Sequence, residues 1–444
     1  MSPAPGAEAI EGEAAAGGPS ERAIGAGFRP GSLDALNFLL ADVRGALGPY
    51  LNVFLVTQRH WSQTETGLVT TVAGLLGLIA QAPIGAAIDA ARQKRGLIVL
   101  ALAVLAIGAG VVFAASSFWA VLAANTAIAV VGDVFGPAVA ALTLGLYAPR
   151  RLARRLGRNS AFDHAGNVAI AAAAGAVGYL FSQRAVFLMV PLFAALAAAA
   201  VLSIPQGAID QDRARGLGDG EKRADGGPEP SGYRVLLRCR PLVIYGLCAM
   251  LFHFANAPLL PLVGQKLALS HPNWATAMMS SCIIAAQLIM LPVALAVGRS
   301  ADRVGRKPIL LLGFAVLPIR AVLYPLSDNA AWLIAVQVLD GVGAGVFGAI
   351  TPLVIADLMR GTGRYNLAQG AVAMAQGIGA SLSGLVAGAV VDRVGYTAAF
   401  LEAAAVAAIA CGVLFLLMPE TAPRKEGPLA RDKAESSQPP MRLP

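Results

Sequence analysis

Apolar residues run along this chain in blocks of about twenty, and polar residues collect in the short gaps between them. An α-helix of that length just crosses the hydrocarbon core of a bilayer. The blocks fall near 33–57, 65–88, 96–116, 118–147, 158–182, 185–203, 241–264, 275–298, 307–326, 330–355, 367–391 and 397–418. Lipid cannot satisfy the open edge of a strand, so the pattern predicts helices throughout. The expected fold class is an all-α membrane protein with twelve transmembrane helices.

The blocks also repeat. Gly85 and Asp89 stand four apart at the end of one block, and Gly298 and Asp302 do so 213 residues later. The same offset carries Trp61 onto Trp274, Trp119 onto Trp332, Ala174-Gly175-Ala176-Val177 onto Ala387-Gly388-Ala389-Val390, and Phe187 onto Phe400. Two of these five matches use all four tryptophans of the chain, which chance does not supply. The chain reads as two pseudo-symmetric six-helix bundles, 33–203 and 241–418, and such duplication is the architecture of secondary transporters. Residues 1–32 and 419–444 are polar and expected to be disordered cytoplasmic tails. The first ~30 residues show no basic start followed by an apolar stretch, so no cleavable signal peptide is expected. The segment 204–240 is expected to be a cytoplasmic linker, flexible or ending in a short interfacial helix near Tyr233–Arg240.

Hydrophobic residues make up 57% of 444 and charged ones 14%, which argues against a soluble origin. The net charge of +8 would suggest nucleic acid in a soluble protein. Here the basic residues sit in loops, so topology explains them and no nucleic-acid partner is expected. With a cytoplasmic N-terminus, the inner loops and tails hold 28 of the 34 Lys and Arg. The outer loops hold only Arg59, Arg184, Lys266 and Arg393, and the remaining two, Arg44 and Arg320, lie within spans. That asymmetry places both termini on the cytoplasmic side. Cys239, Cys248, Cys282 and Cys411 form no CxxC pair, and four scattered His suggest no metal centre.

The sequence Gly298-Arg-Ser-Ala-Asp302-Arg303-Val-Gly305-Arg306-Lys307 closes the eighth block. With twelve spans, the six-plus-six repeat and the mid-chain linker, it resembles the loop motif of the major facilitator superfamily of secondary transporters. The likeness covers 33–418. The first copy is degenerate, keeping Gly85, Asp89 and Lys94 but putting Ala90, Arg92 and Gln93 where Arg, Gly and Arg belong. The resemblance implies that this loop latches the two halves on the cytoplasmic side during alternating access. Physical reasoning fits. Glycine allows helix ends to approach, and an Asp at a helix end can pair with basic residues or cap a neighbouring N-terminus. The alternative is that the basic residues only set topology. Drug/proton antiporters of the superfamily carry an Arg four before a Gly in helix 4, and Gly-Pro in helix 5. This chain has Ile128 before Gly132, Gln337 before Gly341, and Gly166-Asn167-Val168-Ala169-Ile170, so drug efflux has no motif support.

Charge at bilayer depth costs at least ~2.5–3.5 kcal/mol, so each case needs a reason. Asp42 and Arg44 lie in span 1, Asp133 in span 4, His253 and Asn256 in span 7, and Asp340 in span 10. The resemblance implies that these four spans line a central cavity. Asp42 and Arg44 are about 200° apart on a helix and cannot face one partner. Asn37 shares the Arg44 face, and His253 shares that of Asn256. Pro49 and Pro261 align the two spans, which sets Asn256 opposite Arg44 across the pseudo-two-fold. On one reading Arg44 binds an anionic group while Asp42, Asp133 or Asp340 carries a proton. On the other, Asp–Arg pairs merely neutralise each other. Asp163 is expected to pair with Arg154, Arg155 or Arg158. Gln369 and Gln376 form a polar face on span 11, with Gln376 offset by 213 from Asp163. Arg320 needs a carboxylate that the sequence does not identify.

A membrane enzyme would want paired carboxylates, a metal cluster or a nucleophile motif, and none appears. A transport-dead sensor would want a soluble signalling domain, and ATP drive would want a phosphate-cradling loop. The expected function is secondary active transport of a small polar or anionic solute by alternating access, coupled to protons and without a bound cofactor. The alternative is a proton-driven exporter of drugs or hydrophobic metabolites. The expected partners are solute and lipid, the expected state a monomer, and the expected location a bacterial inner membrane.

Overall fold

The structure, a computed structural model, describes residues 28–41, 47–91, 93–211, 213–215, 236–360 and 364–422, without the side chains of 47, 82, 86, 89, 90, 149, 150, 153 and 215. The long elements among these are all helical. They are α1a (Pro30–Leu40), α1b (Leu47–Gln58), α2 (Gln63–Ala90), α3 (Lys94–Ala114), α4 (Phe118–Leu146), α5 (Pro149–Leu180) and α6 (Val186–Leu202). The second half runs α7a (Arg240–Asn256), α7b (Leu259–Ser270), α8 (Ala275–Val304), α9 (Arg306–Leu323), α10 (Ala330–Leu358), α11 (Tyr365–Val394) and α12 (Tyr396–Leu417). Nine spans among the described residues are long and apolar enough to cross a bilayer, counting Arg240–Ser270 as one.

Local chemistry sets the helix ends. Ser62 and Glu65 form a reciprocal capping box that starts α2. Asn329 caps α10 through the Trp332 amide at 3.2 Å. Two glycines turn one helix directly into the next. Gly305 separates α8 from α9 at φ +99°, and Gly395 separates α11 from α12 at φ +98°. Both end the same tetrapeptide, Asp-Arg-Val-Gly, at 302–305 and 392–395. Side chains rarely accept that backbone angle, so glycine is required at both turns.

The repeat in the sequence is a repeat in packing. In the first half α4 packs on α2 and α3, α3 on α6, and α1a on α5 and α6. In the second, α10 packs on α8 and α9, α9 on α12, and α7a on α11 and α12. Each half encloses its own apolar core, one around Leu105, Phe135 and Ala197, the other around Phe314, Ile350 and Phe400. Gly166 and Gly379, 213 apart, do the same job: a Cβ on the first would strike the Phe38 carbonyl, and on the second that of Met250. Close approach of this kind replaces the hydrophobic drive that lipid cannot provide. Leu100, Ile107, Leu192, Leu312, Ile319 and Ile409 point outward from the bundle.

The expected linker differs from the structure at its start. Ile204, Ala208, Ile209 and Ala214 are buried in the first-half core, and the Asp210 amide donates to the Gly145 carbonyl at 3.0 Å. Apolar residues at these positions extend the bundle beyond residue 203. Most of the rest of the expected linker, and residues 1–27 and 423–444 of the expected tails, lie outside the described residues.

Candidate functional site

The two halves meet chiefly along α2 against α11 and α5 against α8, with α1b touching α7b. These contacts gather at one end of the bundle, the end opposite the basic loops at Lys94, Arg155, Arg303 and Arg306. Asp392, at the end of α11, accepts from the Gln63 amide (Oδ1, 3.0 Å), the Thr64 amide (Oδ2, 2.7 Å) and the Thr64 hydroxyl (2.5 Å). It therefore caps the free N–H groups that begin α2 in the other half. Gln63 also donates to the Tyr396 hydroxyl at 2.8 Å. Further along the seam Thr71 donates to the Ser381 carbonyl at 2.6 Å and accepts from the Leu385 amide at 3.2 Å. On the α5–α8 side the Tyr179 and Trp274 rings meet tilted, 4.5 Å between centroids, and the Tyr50 and Ser280 hydroxyls lie 2.7 Å apart. An apolar cluster of Tyr50, Val53, Ala174, Val186, Ala268, Ala275 and Met279 fills the space between. The seam reaches mid-span at His164, whose Nδ1–H donates to the side-chain oxygen of Gln287 at 3.0 Å.

Among the described residues, the basic end is organised within each half instead. Asp34 of α1a takes a bidentate pair from Arg158 at 3.0 and 2.7 Å and a third contact from Arg155 at 2.8 Å. Arg155 also donates to Asn159, and Asn159 to Thr143, which joins α1a, α5 and α4. Asp34, not Asp163, is thus the carboxylate that these two arginines reach. Asp163 stands eight residues, about 12 Å, along α5 from Arg155. In the second half Arg306 is buried between Asp302 at 2.7 Å and Asp357 at 3.0 Å. Glu420, just past α12, accepts from the amides of Arg306 at 2.8 Å and Lys307 at 3.1 Å. Glu420 therefore caps α9, while Asp302 pairs inside its own loop and is 83% exposed. Arg303 is exposed, and the Lys307 ammonium lies over the Phe415 ring. Among the described residues, neither Gly85 nor Gly298 has a neighbour within 4 Å of where a Cβ would stand. No described residue makes the close approach expected of them.

The mid-span candidates divide. Asp42 and Arg44 lie outside the described residues, as does the side chain of Asp89. Asp340 accepts from Arg320 and, at 3.0 Å, from Gln337, which in turn accepts from the Tyr324 hydroxyl. Asn256 accepts from Arg320 at 2.8 Å. Arg320 is fully buried, so Asp340 is the carboxylate that the sequence left unidentified. Asn256 and Asp340 are thereby brought together, around an arginine of α9. His253 donates from Nδ1 to the Ala249 carbonyl at 2.9 Å and meets the Phe347 ring edge-on at 4.9 Å. Gln376 is half-buried and Gln369 exposed, with no hydrogen bond to either among the described residues. Asp133 is half-buried on α4, 3.5 Å from where a Cβ on Gly77 of α2 would stand. It has no ion pair or hydrogen bond among the described residues. Asp163 lines a cavity of about 210 Å³ with Asn37, Asn159 and Ser160.

A family model described as Major Facilitator Superfamily matches residues 33–316 and 242–442. The chain belongs to the major facilitator superfamily. It is 50% identical over 395 residues to the uncharacterized MFS-type transporter Rv2456c of Mycobacterium tuberculosis, covering 88% of this chain and 93% of that one. It is 28% identical over 142 residues to the methyl viologen resistance protein SmvA of Salmonella typhimurium, 32% of this chain and 29% of that one. Among solved structures it resembles the nucleoside transporter NupG at a TM-score of 0.71 and 14% identity, over 87% of this chain and 98% of that chain. A bacterial homologue of the human lysosomal transporter Spinster, in an inward-facing and unoccupied conformation, scores 0.68 at 15% identity, over 87% and 95%. At such identity the likeness speaks for the superfamily fold alone.

Sequence reasoning passed over Asp392, Asp34 and Glu420 of this superfamily member. Asp392 carried a signal, because Asp-Arg-Val-Gly at 392–395 copies the tetrapeptide of the loop motif. Asp34 and Glu420 carried none, since each works through a helix distant in sequence.

Proposed function

We propose that this chain carries a small polar or anionic solute across the membrane by alternating access, coupled to the proton gradient. The observation that carries the reading is the one-ended seam: the described hydrogen bonds between the halves run from Asp392 to His164–Gln287 and occupy one end and the middle. A pair of bundles joined at one end is a shape that rocking can invert, with a solute held where the halves part. With the basic loops on the cytoplasmic side, the end left apart faces inward and both termini are cytoplasmic, in a bacterial inner membrane.

In the described structure the Asp340 charge is matched by Arg320, which favours Asp133, or Asp42 outside the described residues, for the proton role. A carboxylate without a cationic partner inside a bilayer is easiest to hold when protonated, and it can release its proton where water enters. Recognition of an anionic group would rest on Arg44. The partial likeness to SmvA favours a second reading, proton-driven export of drugs or hydrophobic metabolites. Uptake in proteoliposomes of organic acids, sugars and cationic dyes, with and without a pH gradient, separates the two. Asp133→Asn should abolish the gradient dependence of whichever solute moves. A variant that keeps full gradient-driven uptake rules out Asp133 as the coupling group.

A further inference from the structure

Asn52 of α1b and Gln265 of α7b are 213 residues apart, so the repeat makes them equivalent positions of the two halves. They enter one cavity of about 110 Å³, walled by α1b and α2 from one half and by α7b and α11 from the other. Gln265 is only 2% exposed, and neither its Oε1 nor the Oδ1 of Asn52 has a hydrogen-bond partner among the described residues. A buried polar atom left so costs about 1–3 kcal/mol, and two such residues lining one space point to something between them.

The rest of the lining says what. Thr66, Thr70 and Ser383 face the same cavity. Each hydroxyl has spent its proton on a carbonyl of its own helix: Thr66 on Ser62 at 3.1 Å, Thr70 on Gly67 at 3.0 Å, Ser383 on Ala380 at 2.7 Å. They therefore show the cavity lone pairs only. Pro258 and Pro261 add no N–H, and Pro261 leaves the Ala257 carbonyl without its i+4 donor. Gln63 also lines the space and donates from Nε2 to the Tyr396 hydroxyl, and no carboxylate among the described residues lines it. Divalent ions want several carboxylates, whereas neutral oxygens suit a singly charged hard cation.

The cavity also breaks the repeat. The equivalents of Thr66, Thr70 and Ser383 are Met279, Ile283 and Ile170. On that side of the pseudo-two-fold Met279 belongs to the apolar cluster that fills the seam. Apolar side chains fill the seam on one side of the axis, and polar ones line the cavity on the other.

We propose that Asn52 and Gln265, with Thr66, Thr70 and Ser383, bind a monovalent alkali cation that is held only while the two halves are closed at this end. Because both halves supply the walls, separating them there opens the cavity, so the ion stabilises the described conformation by mass action.

The test uses the purified full-length chain in nanodiscs and needs no knowledge of the solute, so it fails independently of the transport reading. The unfolding temperature is measured in NaCl, KCl and N-methyl-D-glucamine chloride at equal ionic strength. Saturating alkali ion should raise it by about 4 °C over the organic cation. Asn52→Ala and Thr70→Val should each weaken the apparent affinity about tenfold, with the unfolding temperature in the organic salt reporting that the variant is folded. Gln265→Glu should strengthen it about tenfold, since a carboxylate favours a cation and repels an anion. Identical unfolding temperatures in all three salts would mean ordered water only and overturn the proposal. An alkali effect that survives all three substitutions would place the ion elsewhere, and weaker binding in Gln265→Glu would exclude a cation.

Discussion

Asp392 holds the first turn of α2 from the other half of the molecule, with Oδ2 2.7 Å from the Thr64 amide and Oδ1 3.0 Å from that of Gln63. A carboxylate at a helix N-terminus meets both free N–H groups and the positive end of the macrodipole. The site is partly exposed, so its net worth is put at about 2 kcal/mol. Asp392→Ala should therefore shift the population away from closure at this end by about thirtyfold. Spin labels at Ser116 and Leu326, on the rims of the two halves, read the opening as a longer distance. An unchanged distance distribution in the variant would show that Asp392 is not a latch.

That relationship also marks where sequence reasoning ends. The blocks of twenty, the 213-residue register and the loop motif made the architecture legible, because span length and duplication are written locally. Ion pairing was not, because it depends on which helices touch. Arg155 and Arg158 could have met any carboxylate near that end of the bundle, and α1a brings Asp34 to them. Asn256 accepts from Arg320 of α9, a partner that the alignment of Pro49 with Pro261 does not reveal. The polar pair Asn52–Gln265 obeys the repeat but escaped notice, since neither residue is charged.

Arg320 and Asp340 form a buried pair whose halves depend on each other. Removing the guanidinium leaves a carboxylate among apolar helices, so Arg320→Ala should cost about 3–5 kcal/mol. Arg320→Leu combined with Asp340→Leu should recover most of that loss, because no charge is then stranded. Thermal unfolding of the purified variants makes the comparison. A double variant no better than the single one would place the cost in packing rather than in charge.

Glu420 gives the α8–α9 loop a pH dependence. Burial raises its carboxyl, but the amides of Ala422, Arg306, Lys307 and Thr421 outweigh this and hold it below the ordinary 4.5. A carboxyl lowered in the folded state contributes fully above its unfolded value and loses that contribution as pH falls through the folded one. The α9 cap should hold at pH 7 and weaken as pH drops below about 4.5. Glu420→Gln should remove the acid-dependent part. Proteolysis within the Gly305 loop at pH 7 and pH 4 follows it, and equal acid sensitivity in both proteins would exclude Glu420 as the cause.

Two glycines at opposite ends of the bundle should respond oppositely to bulk. A Cβ on Gly67 would run into the Gly384 carbonyl across the seam, whereas Gly298 has no described residue within 4 Å of where its Cβ would stand. Overpacking a close contact costs about 1–3 kcal/mol, enough to change a two-state ratio by about fivefold to more than a hundredfold. Gly67→Leu should therefore wedge the seam and lengthen the Ser116–Leu326 label distance. Gly298→Leu should leave that distance alone, because the described conformation already has room for it. What it should impede is closure at the basic end, where α8 must approach its neighbour if the bundles rock. Labels at Arg154 and Arg360 should then keep their long distance in Gly298→Leu while turnover falls. Unimpaired turnover in that variant would mean that the basic end never closes at Gly298, and the rocking axis would have to lie elsewhere.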